Sequence, residues 1–199
     1  MDAAWVSDSS TVLASLVAGV NRNGAPFTTL RHNSRHTADN YTYTYGSATA
    51  ATGGFSRVIV LTGSRTCSAS ELVVNGLKPY VDVVTIGGTT CGKPFGFRPR
   101  DNCSSTYSAV NFESVNAQGS GAYYDGITAS CPATDGFSGV LGDPVDESLT
   151  HAASTYLQSG ACPVAAADLR QRAQSIRNPA AGIRDRITEP GERPGMWAD

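Results

Sequence analysis

The chain has 199 residues, of which 40% are hydrophobic and 16% charged, enough for one domain with a buried core, with or without a tail. Its net charge of −2 gives no electrostatic reason to expect nucleic acid or an anionic membrane as a partner. The longest apolar runs are of strand length and far too short to span a membrane. The first residues lack the basic start and apolar stretch of a signal peptide, so any export signal is expected outside this chain.

The N-terminal part of the chain predicts one helix followed by polar, irregular chain. Residues 10–21 are predicted to be helical because apolar residues, Leu13 and Leu16 among them, share one face. Phe27–Leu30 predicts a strand, and Tyr41–Tyr45 alternates tyrosine with threonine.

The most regular pattern begins after a connector of small residues over 48–54. Arg57–Thr62 and Val81–Ile86 predict buried strands, and Cys67–Leu77 predicts a helix between them. Continuous apolar strands joined by a helix are typical of a β-α-β unit with a parallel pair of strands. The sequence therefore predicts an α/β fold.

The pattern changes in the second half of the chain. Thr106–Val115 and Ala122–Ile127 predict β segments, and Leu149–Leu157 predicts a helix. No internal repeat is visible.

The C-terminal end predicts a separate segment. Residues 165–176 predict a further helix, and residues 177–199 are rich in Pro, Gly, Arg and Glu with hardly an apolar residue to bury. We therefore expect one domain over residues 1–163 and a C-terminal helix with a polar tail over residues 164–199.

Five cysteines indicate an oxidising compartment, because disulfides are rare in the cytosol. They are Cys67, Cys91, Cys103, Cys131 and Cys162. An odd number leaves one thiol free when two bridges form. Neither these cysteines nor the three histidines show metal-ligand spacing, so we expect no metal and no cofactor.

Ser68 stands at the start of the central predicted helix, three residues before Glu71. Ser-x-x-Glu before an apolar run is a capping box, in which the Glu71 side chain reaches back to the backbone. The same position suits a nucleophile, because free N–H groups at a helix N-terminus stabilise an oxyanion. The N–H of Ala69 would be one such donor, and the two interpretations are compatible.

Lys93 is one of only two lysines in a chain with thirteen arginines. Arginine stays charged, whereas a lysine in an apolar surround can lose its proton and act as a base. A lysine on a glycine-rich turn is most often a surface residue, but this one follows a predicted buried strand and precedes Pro94 and Phe95. A parallel crossover brings the carboxyl ends of its strands to one edge, so we expect Ser68 and Lys93 to meet.

The stretch Arg57–Phe97 resembles the catalytic core of the tail-specific, or C-terminal processing, serine peptidase family. The family pattern is a hydrophobic strand, T-x-S-A-S-E, a helix, a second strand ending in glycine, and T-x-G-K. This chain reads RVIVLTGSRTCSASELVVNGLKPYVDVVTIGGTTCGKPFGF. The resemblance implies an α/β fold of the crotonase/Clp-peptidase type. It also implies that Ser68 is the nucleophile, Lys93 the general base and the backbone N–H of Ala69 an oxyanion donor.

The chain departs from this family pattern in two places. Phe97 stands where several members carry a glutamine that orients the lysine. The upstream D-L-R-x-N-x-G-G strand, whose glycine supplies the second oxyanion donor, does not occur, and neither does the PDZ-type domain common in the family. We therefore expect the chain to be the C-terminal part of a longer peptidase, or a shortened one.

The resemblance implies an endopeptidase that cleaves polypeptides near exposed, apolar C-termini through an acyl-enzyme on Ser68. We expect a periplasmic or cell-surface location, no membrane span and no nucleic acid, and a homo-oligomer is left open. The alternative is a non-catalytic binding module, or an inactive fragment, on the same fold. A crotonase-like acyl-thioester enzyme is a third hypothesis, but its paired oxyanion loops and nucleotide site are not visible in the sequence.

The disulfide pairing is predicted from the positions of the cysteines relative to the predicted β segment and to the two catalytic candidates, Ser68 and Lys93. Cys103 and Cys131 are the first choice because they bracket the predicted β segment after Lys93. Cys67 and Cys91 are expected to pair because each lies within two residues of a catalytic candidate, and those candidates must meet. Cys162 is then the free cysteine.

Overall fold

The computed structural model describes residues 3–46, 54–136 and 139–163, with side chains from residue 10 onward. The chain divides into compact units after Pro163, and all described residues lie in the first unit. The predicted helix over residues 165–176, the tail, and most of the predicted connector lie outside the described residues.

The described residues form three α-helices, two single-turn 3-10 helices (Val20–Arg22 and Thr37–Asp39) and nine strands. The α-helices are α1 (Ala3–Ala18), α2 (Ala69–Leu77) and α3 (Ser148–Ser159). The strands are β1 (Pro26–Arg31), β2 (Tyr41–Thr44), β3 (Arg57–Thr62), β4 (Asp82–Gly87), β5 (Phe95–Gly96), β6 (Arg100–Asn102), β7 (Ser105–Tyr107), β8 (Phe112–Val115) and β9 (Cys131–Pro132).

The predicted β-α-β unit is present as β3, α2 and β4. Strands β3 and β4 pair in parallel from Arg57 opposite Asp82 to Thr62 opposite Gly87. β9 adds a second parallel neighbour to β4, which gives the strand order β3-β4-β9. An α/β fold with a parallel sheet is therefore confirmed.

Helices cover both faces of the parallel sheet, because successive side chains of a strand point to opposite sides. Ile59 and Val84 pack towards α3, against Ala152. Val60 and Val83 pack on the other side, towards the α2 residue Val74. Helix α2 also contacts β1 and β8 and so lies between the parallel sheet and a second sheet.

The second sheet is antiparallel and has the order β2-β1-β8-β5. It includes the predicted strand Phe27–Leu30 and places the alternating Tyr41–Tyr45 segment beside it as β2. Its edge strand β5 begins two residues after Lys93. The second sheet therefore continues directly from the turn that carries this lysine.

The predicted N-terminal helix is placed wrongly by several residues. α1 runs over Ala3–Ala18 because Gly19, with φ 76°, adopts a backbone that ends the helix. Its predicted apolar face is also wrong, since Leu13 is 53% exposed whereas Ala14 and Ala18 are buried. The small alanines, and not the leucines, belong to the cluster that packs against Leu77 of α2.

Two β predictions are corrected. Ala122–Ile127 is not a strand but a turn that packs on the loop after β4, with Gly126 at φ 91°. Strand β3 is less buried than its apolar run predicts, and Leu61 is 40% exposed. The reason is that β3 pairs only with β4 among the described residues, so one of its edges has no neighbouring strand.

Candidate active site

Ser68 directly precedes α2 and has an uncommon backbone conformation. Its φ is 53° and its ψ is −110°. Cys103 is the one other non-glycine residue with positive φ among the described ranges. Such a conformation costs on the order of 1–3 kcal/mol and is concentrated at functional sites. A serine on a strained turn between a strand and a helix is also the arrangement that exposes a nucleophilic hydroxyl.

The carboxylate of Glu71 is completely buried and accepts four hydrogen bonds. Oε2 accepts from the backbone N–H groups of Ser68 and Lys93, each at 2.9 Å. Oε1 accepts from the N–H of Gly92 at 2.8 Å and from Oγ1 of Thr90 at 2.5 Å. The predicted contact of Glu71 with the Ser68 backbone is therefore confirmed. Its link to the turn over residues 90–93, which we call the lysine turn, is an addition that the sequence did not predict.

This carboxylate holds together the lysine turn and the segment over residues 63–68 between β3 and α2, which we call the serine turn. The N–H groups of Ser68 and Lys93 share one oxygen atom, so their backbones lie within a few ångströms of each other. Glu71 lies in the first turn of α2, where the helix dipole favours a negative charge. All four donors bond to this one carboxylate, so the loss of either of its oxygen atoms as an acceptor would leave some of them without their partner.

A disulfide between Cys67 and Cys91 joins the same two turns. Their Cα atoms are 5.3 Å apart, and the N–H of Cys91 donates to the carbonyl of Thr66 at 3.0 Å. The predicted Cys67–Cys91 pairing is confirmed. A covalent link one residue before Ser68 and two residues before Lys93 therefore adds to the link through Glu71.

The predicted pairing of Cys103 with Cys131 is wrong. Cys131 pairs with Cys162, and Cys103 is an exposed free cysteine in the β6–β7 hairpin. Cys131 lies in β9 and is only 1% exposed, on the side of the sheet that α3 covers. Cys162 follows α3 and so reaches it, whereas the hairpin that carries Cys103 lies at the surface.

The two disulfides are expected to contribute similarly to stability. Each closes a loop of comparable length, with separations of 24 and 31 residues. We expect the double variants Cys67→Ser/Cys91→Ser and Cys131→Ser/Cys162→Ser each to lose roughly 3–4 kcal/mol of unfolding free energy in urea titrations. Alkylation of the native, unreduced protein followed by mass mapping should modify Cys103 alone, and modification of Cys67 or Cys91 would contradict the pairing.

The lysine turn packs against the turn that follows β8. Gly92 has φ 83°, and a Cβ there would lie 2.1 Å from the carbonyl oxygen of Tyr124. Oγ1 of Thr90 accepts from the N–H of Ile127 at 2.6 Å. Only glycine fits this close approach, so Gly92 fixes the turn through both its conformation and its lack of a side chain.

Ser114 stands out only in the structure, since no sequence pattern marks it. Its N–H and its Oγ both donate to the carbonyl of Pro94, at 2.7 and 3.0 Å. It therefore holds the backbone directly after the half-buried Lys93. Phe97, at the position where the family carries a glutamine, is also half-buried.

A groove of about 510 Å³ opens at the carboxyl ends of β3 and β4. Its lining is residues 61–66, Ser70, Gly88, Ala133 and Asp135. Ser68 is not part of the lining, but Thr66 and Ser70 on either side of it are. The carboxyl edge of a parallel sheet is where α/β proteins commonly bind their ligands.

Within residues 3–46, 54–136 and 139–163, no cluster of three or more histidine, cysteine or acidic side chains could hold a metal ion. No helix in those ranges is both long enough and apolar enough to cross a membrane.

The chain was compared with known proteins by sequence and by structure. No family model and no curated protein matches it. Its structure is similar to that of a putative S41 protease from Bacteroides fragilis, with a TM-score of 0.57 and 22% identity, covering 88% of this chain and 41% of that one. Weaker similarities are to a photosystem II D1 C-terminal processing protease (TM-score 0.47, 20% identity, 64% and 31% covered) and a lipoprotein from Streptococcus agalactiae (0.41, 15%, 59% and 42%).

The first of these similarities shows the fold of the chain. It is the fold of an S41 protease, and this chain spans 41% of the length of the protein that it matches. At 22% identity this similarity establishes the fold and not an activity.

Proposed function

We propose that the protein is a serine peptidase of the tail-specific type, with Ser68 as nucleophile and Lys93 as general base on a crotonase/Clp-peptidase-like fold. The observation that carries the proposal is the shared acceptor: one buried oxygen of Glu71 binds the N–H groups of both residues. The strained backbone of Ser68 supports it independently. A capping box accounts for the contact of Glu71 with the N–H of Ser68, but not for its contact with the N–H of Lys93 or for the positive φ of Ser68.

The proposed reaction begins when Oγ of Ser68 attacks the carbonyl carbon of a peptide bond. The neutral amine of Lys93 takes the hydroxyl proton, and the resulting ammonium gives it to the leaving amine, so an ester on Ser68 remains. Water then attacks the ester with Lys93 again as base, which releases the acid product and restores the serine. The N–H of Ala69, at the positive end of α2, stabilises the oxyanion in both steps.

We propose a polypeptide substrate with an apolar C-terminal region and an extracytoplasmic location, in the periplasm or at the cell surface. Two disulfides among the described residues support the location, because such bonds persist in oxidising compartments. The structural similarity to an S41 protease supports a polypeptide as the substrate.

The proposal is tested by product analysis. We expect the full chain, incubated with peptides that end in apolar residues, to release shorter peptides slowly, because the strand that supplies the family's second oxyanion donor does not occur in this chain. Mass spectrometry identifies the products. Ser68→Ala should release none, while its circular dichroism spectrum matches that of the wild type. Binding of the peptides without cleavage by the wild type would favour the non-catalytic binding module instead.

A further inference from the structure

We propose that Phe95 and Tyr124 form an aromatic platform beside the lysine turn, and that this platform binds a hydrophobic side chain of the polypeptide close to the bond that is cleaved. The inference rests on the proposed function and deepens it, because it assigns the residues that set substrate preference. Phe95 lies two residues beyond the T-x-G-K pattern, at the end of the stretch that resembles the peptidase family, and Tyr124 lies outside that stretch.

The two rings form an ordered surface at the exterior of the protein. Their centroids are 5.4 Å apart and their planes are inclined by 11°, so the rings are stacked. Phe95 is 41% exposed and Tyr124 is 51% exposed. Single exposed aromatic residues are common, but a stacked pair presents a continuous apolar surface.

Hydrogen bonds fix the platform in place. The hydroxyl of Tyr124 donates to Oε1 of Glu113 at 2.8 Å, and Nη2 of Arg31 donates to Oε2 at 2.7 Å. Burial alone would raise the pKa of Glu113, but the hydrogen bonds from Arg31 and Tyr124 and the charge of Arg31 outweigh it and lower the pKa. The hydrogen bond to Glu113, with some burial, raises the pKa of Tyr124. At neutral pH the phenol therefore remains a donor to an ionised carboxylate.

The platform is continuous with the proposed active site. The carbonyl of Tyr124 lies so close to Gly92 that a Cβ there would be 2.1 Å away, and Phe95 follows Lys93 by two residues. The platform and the lysine turn are therefore parts of one packed unit. A substrate side chain that binds on the two rings would therefore belong to a polypeptide that passes close to Lys93.

The surroundings of Phe95 fit an extended polypeptide. β5 pairs with β8 alone among the described strands, which leaves its other edge open to the backbone of an extended chain. A groove of about 400 Å³ runs beside Phe95 and includes Val110, which is 65% exposed. Stacked rings and an exposed valine bind an apolar side chain better than a polar one.

The experiment compares two peptides that differ only by leucine or serine at the residue next to the cleaved bond. We expect wild type to prefer the leucine peptide by about 10- to 100-fold in kcat/KM, the range that loss of a buried apolar side chain produces. Phe95→Ser and Tyr124→Ser should each reduce this ratio towards one. Tyr107→Ser, which removes a 59% exposed tyrosine from the β6–β7 hairpin, is the matched control and should keep the ratio.

A small fluorophosphonate separates failure of the platform from failure of the proposed function. If the platform variants still form the adduct on Ser68 but keep the wild-type leucine preference, the platform proposal is wrong and the peptidase proposal stands. If wild type forms no adduct and cleaves neither peptide, both are wrong. Phe95 and Tyr124 are both exposed and are substituted separately. If one variant fails to fold, the leucine preference of the other variant still tests the platform.

Discussion

Lys93→Arg is expected to be as inactive as Lys93→Ala, with peptide hydrolysis reduced about 10⁴-fold or more relative to wild type. The guanidinium stays protonated and cannot accept the proton of Ser68, although it keeps the positive charge and most of the length of the side chain. Ser68→Ala should be equally inactive and should lose about 1 kcal/mol of stability from the altered helix cap. Initial rates of peptide hydrolysis, with circular dichroism to confirm folding, measure each effect.

The control for this series is the other lysine of the chain. Lys78 lies at the C-terminal end of α2, the opposite end from Ser68, and is exposed. Lys78→Arg should therefore hydrolyse peptides at the wild-type rate. Appreciable peptide hydrolysis by Lys93→Arg would show that Lys93 is not the general base.

Glu71→Gln is expected to destabilise the protein by about 3 kcal/mol and to lower activity at least about 100-fold. The carboxylate has four donors, whereas an amide has one acceptor oxygen and would point its own N–H groups at the remaining donors. Each buried donor left without a partner costs about 1–3 kcal/mol. Misplacement of reacting groups by about 1 Å can cost about 100-fold in rate.

A second capping carboxylate provides the matched control. Glu147 caps α3 by accepting from the N–H groups of Leu149 and Thr150, and it has no contact with the serine or lysine turn among its hydrogen bonds. Glu147→Gln should lose about 1 kcal/mol in urea titrations and keep its activity. Equal effects of the two substitutions on stability and rate would mean that Glu71 is only a helix cap.

The β-α-β unit could be predicted from the sequence because its signals are local. Arg57–Thr62 has the apolar run of a parallel strand, and Ser68 and Glu71 mark the start of the helix that follows. The handedness and short connections of such units then bring the serine and lysine turns to one edge. The Cys67–Cys91 pairing followed from the same reasoning.

The donors to Glu71, the partner of Cys131 and the exposure of Leu61 depend on contacts between residues far apart in the sequence, which no local sequence pattern predicts. Three of the four donors to Glu71 come from residues 90–93, and their approach is decided by how the turn packs. The partner of Cys131 depends on which face of the sheet α3 covers. The exposure of Leu61 depends on whether β3 has a second neighbour, which its own composition does not determine.

The claim that Ser68 is an activated nucleophile is tested most directly by reaction with a fluorophosphonate and mass mapping of the adduct. We expect one adduct, on Ser68, in the folded wild-type protein, and its loss in Lys93→Ala and after heat unfolding. Neighbouring Ser64 and Ser70 serve as internal controls, because both are exposed hydroxyls within a few residues. An unlabelled folded protein, or an adduct on Ser64 or Ser70 instead of Ser68, would contradict the account.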